Sequence, residues 1–146
     1  MNPRLSFILP CKPTAQRRPR HMRAKSGIDI TYKDARQKAN EGALEALLAP
    51  WRPDAPFRCI VALCFEAVMP IPKYVSKAKR QAMLAGAIYP AVKPDLDNLA
   101  KQLKDAMTRM AFWHDDRQVT RLECAKIYGE EACWRVSVVP LEHAVT

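Results

Sequence analysis

The chain has 146 residues and a mass of 16.6 kDa, the size of one ordinary domain, so we expect a single domain over residues 1–146 rather than a multi-domain assembly. Hydrophobic residues make up 49% and charged residues 27%, a composition that excludes global disorder. The 24 lysines and arginines exceed the 15 acidic residues, and the resulting charge of +9 favours a polyanionic partner, with nucleic acid first. On charge alone, a basic domain without such a partner is an equal alternative.

The apolar runs and the cysteines exclude further classes. The longest apolar run, 59–65, is far shorter than the roughly 20 residues that cross a bilayer, and the N-terminus does not resemble a signal peptide. We therefore expect a cytoplasmic protein that does not enter a membrane. The cysteines are odd in number and lack zinc-type spacing, so neither a disulfide framework nor structural zinc is expected. They are Cys11, Cys59, Cys64, Cys124 and Cys133.

The first third of the chain is predicted to form a strand, a basic arm and a helix. Leu5–Leu9 has the composition of a strand and is closed by Pro10. Residues 11–31 show little periodicity and hold six cations against one acid, which indicates a basic loop or arm. Residues 33–48 are helical in composition and end at Pro50. The apolar residues expected on the packed face of this helix are Ala35, Ala39, Ala43, Leu44, Leu47 and Leu48.

A central strand and a short basic helix follow. The run 57–69 is apolar on both faces and stops at Pro70, as in a buried central strand. Ser76 is an N-cap residue ahead of a helix over 77–84, which ends near Gly86.

The last part of the chain is predicted to form a third helix and a hairpin. An apolar stripe from Leu96 to Met110 marks the helix. Residues 118–128 and 132–139, joined at 129–131, look like an antiparallel hairpin. The predicted order is β-α-β-α-α-β-β, in an α+β (mixed α/β) fold with a mixed sheet.

Two short segments, 93–101 and 112–116, each contain a closely spaced pair of acidic residues. In an extended segment before a helix alternate residues point the same way, so Asp95 and Asp97 can direct two carboxylates at one point. Magnesium is usually held by one or two protein carboxylates together with phosphate oxygens of the substrate. A further carboxylate, from Asp115 or Asp116, can join the pair if the following strand lies beside the third helix. The sequence thus predicts a site for a hard cation.

A lysine belongs to the same region. Asp97, Lys101 and Asp105 follow one another at intervals of four residues and form a polar row on the third helix. Lys101 is therefore expected to project beside the carboxylates, where an ammonium group would stabilise charge on a phosphate under attack.

Each of these residues also has an ordinary structural interpretation. Asp95 or Asp97 can cap the third helix, and Lys101 can form an ion pair across one helical turn. Asp115 and Asp116 can form a plain turn. The combination of D-x-D-N-x-x-K with a second acidic pair, in a chain of charge +9, favours the cation site, because acids that approach DNA need a cation to offset their repulsion.

Three segments together resemble the signature of the RusA family of Holliday-junction resolvases, which are common in bacteria and their prophages. They are Lys93-Pro94-Asp95-Leu96-Asp97-Asn98-Leu99-x-Lys101, Asp105-Ala106-Met107 and Phe112-Trp113-x-Asp115-Asp116-x-Gln118-Val119. The match includes spacing as well as residue type and covers about residues 93–119. The segment 89–94 departs from the family, because it replaces a basic stretch that precedes the D-x-D.

The resemblance implies a magnesium-dependent endodeoxyribonuclease with a RusA-like fold, which acts as a homodimer and resolves four-way DNA junctions by paired symmetric nicks in recombination and repair. By motif position, it implies that Asp95, Asp97 and Asp116 are catalytic and hold Mg²⁺, and that Lys101 is the catalytic lysine. Asp115 and Asn98 are given auxiliary roles. No organic cofactor is implied.

Phosphate contacts are expected from clustered cations, because these supply affinity that does not depend on sequence. The candidate DNA-binding residues are Arg17, Arg18, Arg20, Arg23, Lys73, Lys77, Lys79, Arg80 and Lys93. His21 and His114 are weaker candidates for ligand or general base. Phe112 and Trp113 are expected in the core or a dimer contact rather than against bases.

Two other functions stay open at this point. One is a non-catalytic basic DNA-binding module whose acids are caps and turns, and the other is a flap or single-strand nuclease. Magnesium-dependent nicking separates the first from the resolvase, and a preference for four-way junctions over flaps separates the second.

Overall fold

The computed structural model describes residues 3–144, which form six strands and three α-helices. The elements are β1 (Leu5–Leu9), β2 (Arg20–Arg23), β3 (Asp29–Tyr32), α1 (Ala35–Leu48), β4 (Cys59–Pro70), α2 (Lys77–Leu84), α3 (Leu96–Arg109), β5 (Val119–Gly129) and β6 (Cys133–Ala144). Two 3-10 turns, Ala49–Trp51 and Asp116–Gln118, lie between them. The predicted α+β class is confirmed.

Four of the strands form a mixed sheet in the order β1-β6-β4-β5. β4 is antiparallel to β6 and parallel to β5, so its prediction as a central strand is confirmed. Alternate residues of the strands, such as Leu63 and Phe65 of β4 and Val136 of β6, are buried together with α1 and α3 in one core. This packing holds α3, which carries the acidic motif, against the sheet.

The predicted hairpin at the end of the chain is wrong, because β4 lies between β5 and β6. The chain must cross the end of β4 to pass from β5 to β6, a distance of about 10 Å for two strand spacings, which the three residues after Gly129 can span. A Cβ atom on Gly129 would collide with the Val68 side chain near the end of β4. The glycine therefore permits the close crossing, which a sequence pattern cannot distinguish from a turn.

The basic segment 11–31 is not the irregular loop that was predicted, because it contains β2 and β3. These strands pair only with each other and form an antiparallel ribbon. Every residue of the ribbon is exposed, so it has no core face and no alternation of polar and apolar residues for a sequence pattern to detect. Gly27, with a φ of 84°, makes the turn between the strands.

The three helices lie close to their predicted limits, but α1 packs on a different face. The alanines at 35, 39 and 43 are exposed, and the buried residues are Gln37, Glu41, Leu44 and Leu48. At α2, Ser76 accepts a hydrogen bond from the backbone N–H of Lys79, as an N-cap should. The helix ends as predicted just before Gly86, whose φ is 79°.

The composition argued against membrane-spanning segments and against a disulfide framework. None of the helices within residues 3–144 is long and apolar enough to cross a membrane. All five cysteines are half-buried free thiols in this structure. The cytoplasmic location and the single domain stay predictions.

Candidate active site

The acidic motif lies at the N-terminal end of α3, directly after an extended loop. Asp95 occupies the N-cap position, with φ −70° and ψ 146°, and follows a cis peptide bond between Lys93 and Pro94. Its carboxylate makes no capping hydrogen bond with the helix. The capping interpretation of Asp95 is therefore wrong in this structure: the residue has the position of a cap but not its bond.

Asp97 lies in the first turn of α3 rather than in the extended segment. The expectation that the two acids alternate along one extended strand is thus wrong, because the helix begins at Leu96. Both carboxylates are exposed at the end of the helix where unpaired N–H groups favour negative charge. Among residues 3–144, neither side chain has a hydrogen bond or an ion pair, so both are free to bind a ligand.

Lys101 and Asp105 lie on the same side of α3, as the predicted polar row requires. Both line a small cavity of about 220 Å³ between α3, α1 and the arm. The Lys101 ammonium has no carboxylate within 4 Å in the described part of the chain, so the interpretation of Lys101 as an ion-pair partner is wrong. Asp105 instead accepts a hydrogen bond of 2.9 Å from the Gln16 side-chain amide.

Asp115 and Asp116 form a turn between α3 and β5. The Asp115 carboxylate accepts a hydrogen bond from the backbone N–H of Arg117 and pairs with its guanidinium at 3.1 Å. These two interactions hold the pKa of Asp115 below its ordinary value. Asp115 is thus engaged in shaping the turn, and Asp116 is the exposed acid that the turn presents.

Gln118 fixes this turn to the rest of the fold. It is only 4% exposed, and its amide nitrogen donates to the carbonyls of Phe57 and Cys59 at 2.7 and 2.9 Å. Its amide oxygen accepts from the backbone N–H groups of His114 and Asp115. One buried side chain therefore ties the acidic turn to the start of β4.

Lys126 of β5 holds the loop that carries Asp95. Its ammonium donates to the backbone carbonyls of Val92 and Pro94 at 2.7 and 2.9 Å. α3 also contacts β5 and the Asp116 turn, as expected from the sequence. Sequence reasoning missed the roles of Lys126 and Gln118, because bonds to backbone carbonyls leave no pattern in residue types.

Within residues 3–144, no three His, Cys, Asp or Glu side chains are gathered in an arrangement that could hold a metal ion. The three-carboxylate set of Asp95, Asp97 and Asp116 therefore stays a prediction. The two free carboxylates at the start of α3 still fit magnesium, since this ion is often held by one or two carboxylates plus phosphate oxygens and water.

A buried polar seam joins the basic arm, α1 and α3. The Gln37 amide donates to Glu41 at 2.8 Å and to Gln102 of α3 at 3.0 Å, and its oxygen accepts from the Arg17 backbone N–H. Burial opposes ionisation of Glu41, but hydrogen bonds from Gln37 and Lys33 outweigh it and lower the pKa. The seam fixes the arm to the helix that carries the acidic motif.

Asp34 anchors the arm at the start of α1. Its carboxylate accepts from the Gln37 backbone N–H and from Arg17, with Arg20 at 3.6 Å, and these contacts hold its pKa below the ordinary value. Two of the predicted DNA-binding arginines thus also have a structural partner.

The remaining predicted residues divide into exposed and buried groups. All nine predicted DNA-binding cations and Asn98 are exposed. Phe112 and Trp113 are buried in the core, as expected. His21 bonds Thr31 across the ribbon at 2.9 Å, and His114 is exposed beside the acidic turn. A groove of about 830 Å³ on the other face of the sheet contains none of the predicted site residues.

Comparisons with known proteins match most of the chain to one family. The family model for endodeoxyribonuclease RusA matches residues 10–139. An uncharacterized protein, YqaN, from Bacillus subtilis (strain 168) is 31% identical over 129 residues, which cover 87% of this chain and 89% of the relative. A crossover junction endodeoxyribonuclease, rusA, from Lactococcus phage r1t is 46% identical over 39 residues, or 27% of this chain and 30% of that protein.

The match of the family model over most of the chain defines the class of protein as a DNA endonuclease. The chain belongs to the RusA endodeoxyribonuclease family, as predicted from the sequence. Membership of this family indicates an endonuclease of Holliday junctions.

Proposed function

We propose that this protein is a magnesium-dependent, homodimeric endonuclease that resolves four-way DNA junctions by paired symmetric nicks, in recombination and repair or in a prophage. The observation that carries the proposal is the pair of unpartnered carboxylates, Asp95 and Asp97, at the start of α3 in a chain of the RusA family. Acidic side chains without protein partners, in a chain of net charge +9, are suited to bind a cation that DNA brings with it.

The proposed roles of the side chains follow from the groups that have no protein partner within the described residues. Asp95 and Asp97, with Asp116 on the neighbouring turn, would hold Mg²⁺, and Asn98 and Asp115 would support them. Bound Mg²⁺ supplies a Lewis acid that polarises the scissile phosphate and lowers the pKa of an attacking water. Lys101 would place its unpaired ammonium against a phosphate oxygen and stabilise the charge that develops there.

DNA would be held by the exposed cations around the site. Lys93 precedes the acidic motif, the arm provides four arginines, and the loop before α2 and α2 itself provide Lys73, Lys77, Lys79 and Arg80. Contacts of this kind give affinity for any DNA and a strong dependence on salt. Selection of a junction therefore needs an additional feature.

The dimer follows from the symmetry of the substrate. Two nicks placed symmetrically across a junction need two active sites related by a two-fold axis. Sedimentation should show a dimer at micromolar concentration. A monomer that nevertheless resolves junctions by paired nicks would contradict this part of the proposal.

The decisive experiment is cleavage of a synthetic four-way junction with one labelled strand at a time. We expect paired symmetric nicks in Mg²⁺, no cleavage in EDTA, and loss of cleavage in Asp97→Asn and Lys101→Ala with unchanged thermal unfolding. Binding without nicking in Mg²⁺ would favour the non-catalytic DNA-binding module. Equal or faster cleavage of flaps or single strands would favour the other nuclease class.

A further inference from the structure

The β2–β3 ribbon has two faces of different chemistry. In an antiparallel pair, residues directly opposite each other lie on the same face. The register pairs Arg20 with Tyr32 and Met22 with Ile30, so these four residues share one face, which we call the apolar face of the ribbon. His21, Arg23, Thr31 and Asp29 form the other face, where His21 bonds Thr31.

The apolar face is open to solvent over its whole length. Met22 is 51% exposed, Ile30 41% and Tyr32 42%. A two-stranded ribbon without a covering layer is marginally stable by itself, and large apolar residues gathered on an exposed face indicate a partner. In the part of the chain that the structure describes, the apolar face thus has the exposed apolar side chains expected of an interaction surface.

Charge around the apolar face selects the kind of partner. At the base of the ribbon a recess of about 560 Å³ is lined by Arg17, Arg20 and Arg36, together with Tyr32 and Asp34. Arg17 and Arg20 both contact Asp34, and the three guanidinium groups still exceed the one carboxylate by two charges. This excess suits a phosphate, which arginine binds through paired N–H groups. A protein partner would have to be acidic and apolar at once, whereas a nucleotide combines a phosphate with a flat apolar base.

A regular duplex offers little to apolar side chains. Its base faces are hidden in the stack, and its surface is lined by charged phosphates. Base faces become accessible where the stack is interrupted, and aromatic, Met or Ile side chains then contact them. A branch point is such an interruption. The charge and shape of this surface therefore fit a nucleotide at the centre of a branched DNA better than one within an arm.

We infer that the ribbon binds an unstacked nucleotide at the branch point, with the phosphate in the arginine recess and the base against Tyr32, Met22 and Ile30. The inference rests on the proposed function for its substrate and adds the element that discriminates a junction from a duplex. The hydrogen bonds from Gln37 to Gln102 and from Gln16 to Asp105 join the base of this ribbon to α3. Binding at the ribbon thereby fixes the branch point relative to Asp97 and Lys101.

The test compares affinity for a four-way junction and for a duplex of the same sequence, in EDTA, so that cleavage does not enter. Stacking of one base on an aromatic residue corresponds to about 5- to 150-fold in affinity when the residue is replaced by Ala. We expect Tyr32→Ala and the pair Met22→Ser with Ile30→Ser to lose junction affinity in this range and to keep duplex affinity within about twofold. Tyr32→Phe keeps the ring and should bind like the wild type.

Two matched controls separate the base contact from other causes. Leu84→Ser removes an exposed apolar residue outside the ribbon and should leave the junction preference unchanged, while Arg23→Ala, on the opposite face, should weaken both DNAs equally. The fluorescence of a 2-aminopurine at the branch point should change when wild type or Tyr32→Phe binds, because the base moves from the DNA stack to the ring, and should change differently with Tyr32→Ala.

Equal loss of junction and duplex affinity in Tyr32→Ala, or no loss at all, would overturn the inference. So would an unchanged 2-aminopurine signal with the wild type. A different result would refute the proposed function: the wild-type protein would not nick junctions in Mg²⁺, whichever DNA it prefers to bind.

Discussion

Asp95 provides the sharpest test of the active site, because it separates a helix cap from a metal ligand. The structure holds two helix starts with different use of their cap residues: Ser76 bonds the backbone of α2, and Asp95 makes no such bond to α3. Asp95→Asn keeps the shape of the side chain and removes its charge. Ser76→Ala removes a working cap and serves as the matched control.

The expected changes in stability follow from these bonds. Loss of an N-cap bond costs typically about 1 kcal/mol, which lowers the Tm of a chain of this size by about 3 °C in Ser76→Ala. Asp95→Asn loses no cap bond, and its weaker interaction with the helix dipole is offset by less repulsion from Asp97. Its stability should therefore stay within about 0.5 kcal/mol of the wild type.

The expected changes in activity have the opposite order: Asp95→Asn should lose cleavage and Ser76→Ala should largely keep it. An amide is a poor magnesium ligand, so Asp95→Asn should lower the rate of single-turnover cleavage by at least about 100-fold. Loss of a residue that only supports a metal ligand already lowers activity by up to about 100-fold, and loss of a ligand should cost at least as much. In EDTA its junction affinity should hold or rise up to about fivefold, because one charge 4 Å from a phosphate contributes about 1 kcal/mol in water. Ser76→Ala should cleave in proportion to its folded fraction.

The assays are thermal unfolding, single-turnover cleavage in Mg²⁺ and junction binding in EDTA on both variants. Retained cleavage in Asp95→Asn would refute its assignment as a ligand. A fall in Tm as large as that of Ser76→Ala, with cleavage lost only in parallel, would identify Asp95 as a cap after all.

Three further predictions concern residues around the site. Lys126→Met frees the loop before α3 and should lower cleavage by about 10- to 100-fold with little effect on Tm, measured on the same junction. Gln118→Leu removes hydrogen bonds to four backbone groups, one in a buried bond and three in partly buried bonds, and should reduce the free energy of unfolding by on the order of 3 kcal/mol, measured by urea titration. The folded-state pKa values of Asp34 and Glu41 are lowered, so both acids stabilise the fold above about pH 4, and Tm should drop as pH falls below it; the drop should flatten in Asp34→Asn with Glu41→Gln.

The extent to which the sequence predicts the fold depends on whether a residue faces the core. α3 was predicted almost to the residue, because Leu99, Leu103 and Met107 repeat at helical spacing and are all buried. The ribbon was missed because neither of its faces is buried, and periodicity reports only burial. The packed face of α1 was assigned to alanines because a polar residue such as Gln37 is buried only when distant residues supply its hydrogen bonds.

The candidate site shows the same division. Asp95, Asp97 and Lys101 could be proposed from residue type and spacing, since a D-x-D motif followed by a lysine places two oxygen ligands and a cation within one short segment. The sequence could not predict that these side chains lack hydrogen bonds and ion pairs within the described residues. That property depends on which residues the fold brings near them. The supporting bonds of Lys126 and Gln118 join segments more than 30 residues apart and have no local signature.

The place of β6 has a consequence for the order in which the chain can fold. This last strand lies between β1, the first, and β4, so the sheet has a gap until the end of the chain is available. During synthesis, β1 and β4 must wait as unpaired edges, which are prone to associate with other chains. Pairings so distant in sequence also slow folding. Removal of the residues that form β6 would therefore leave β1 without a partner and β4 with an open edge, so it would divide the sheet rather than trim one edge of it.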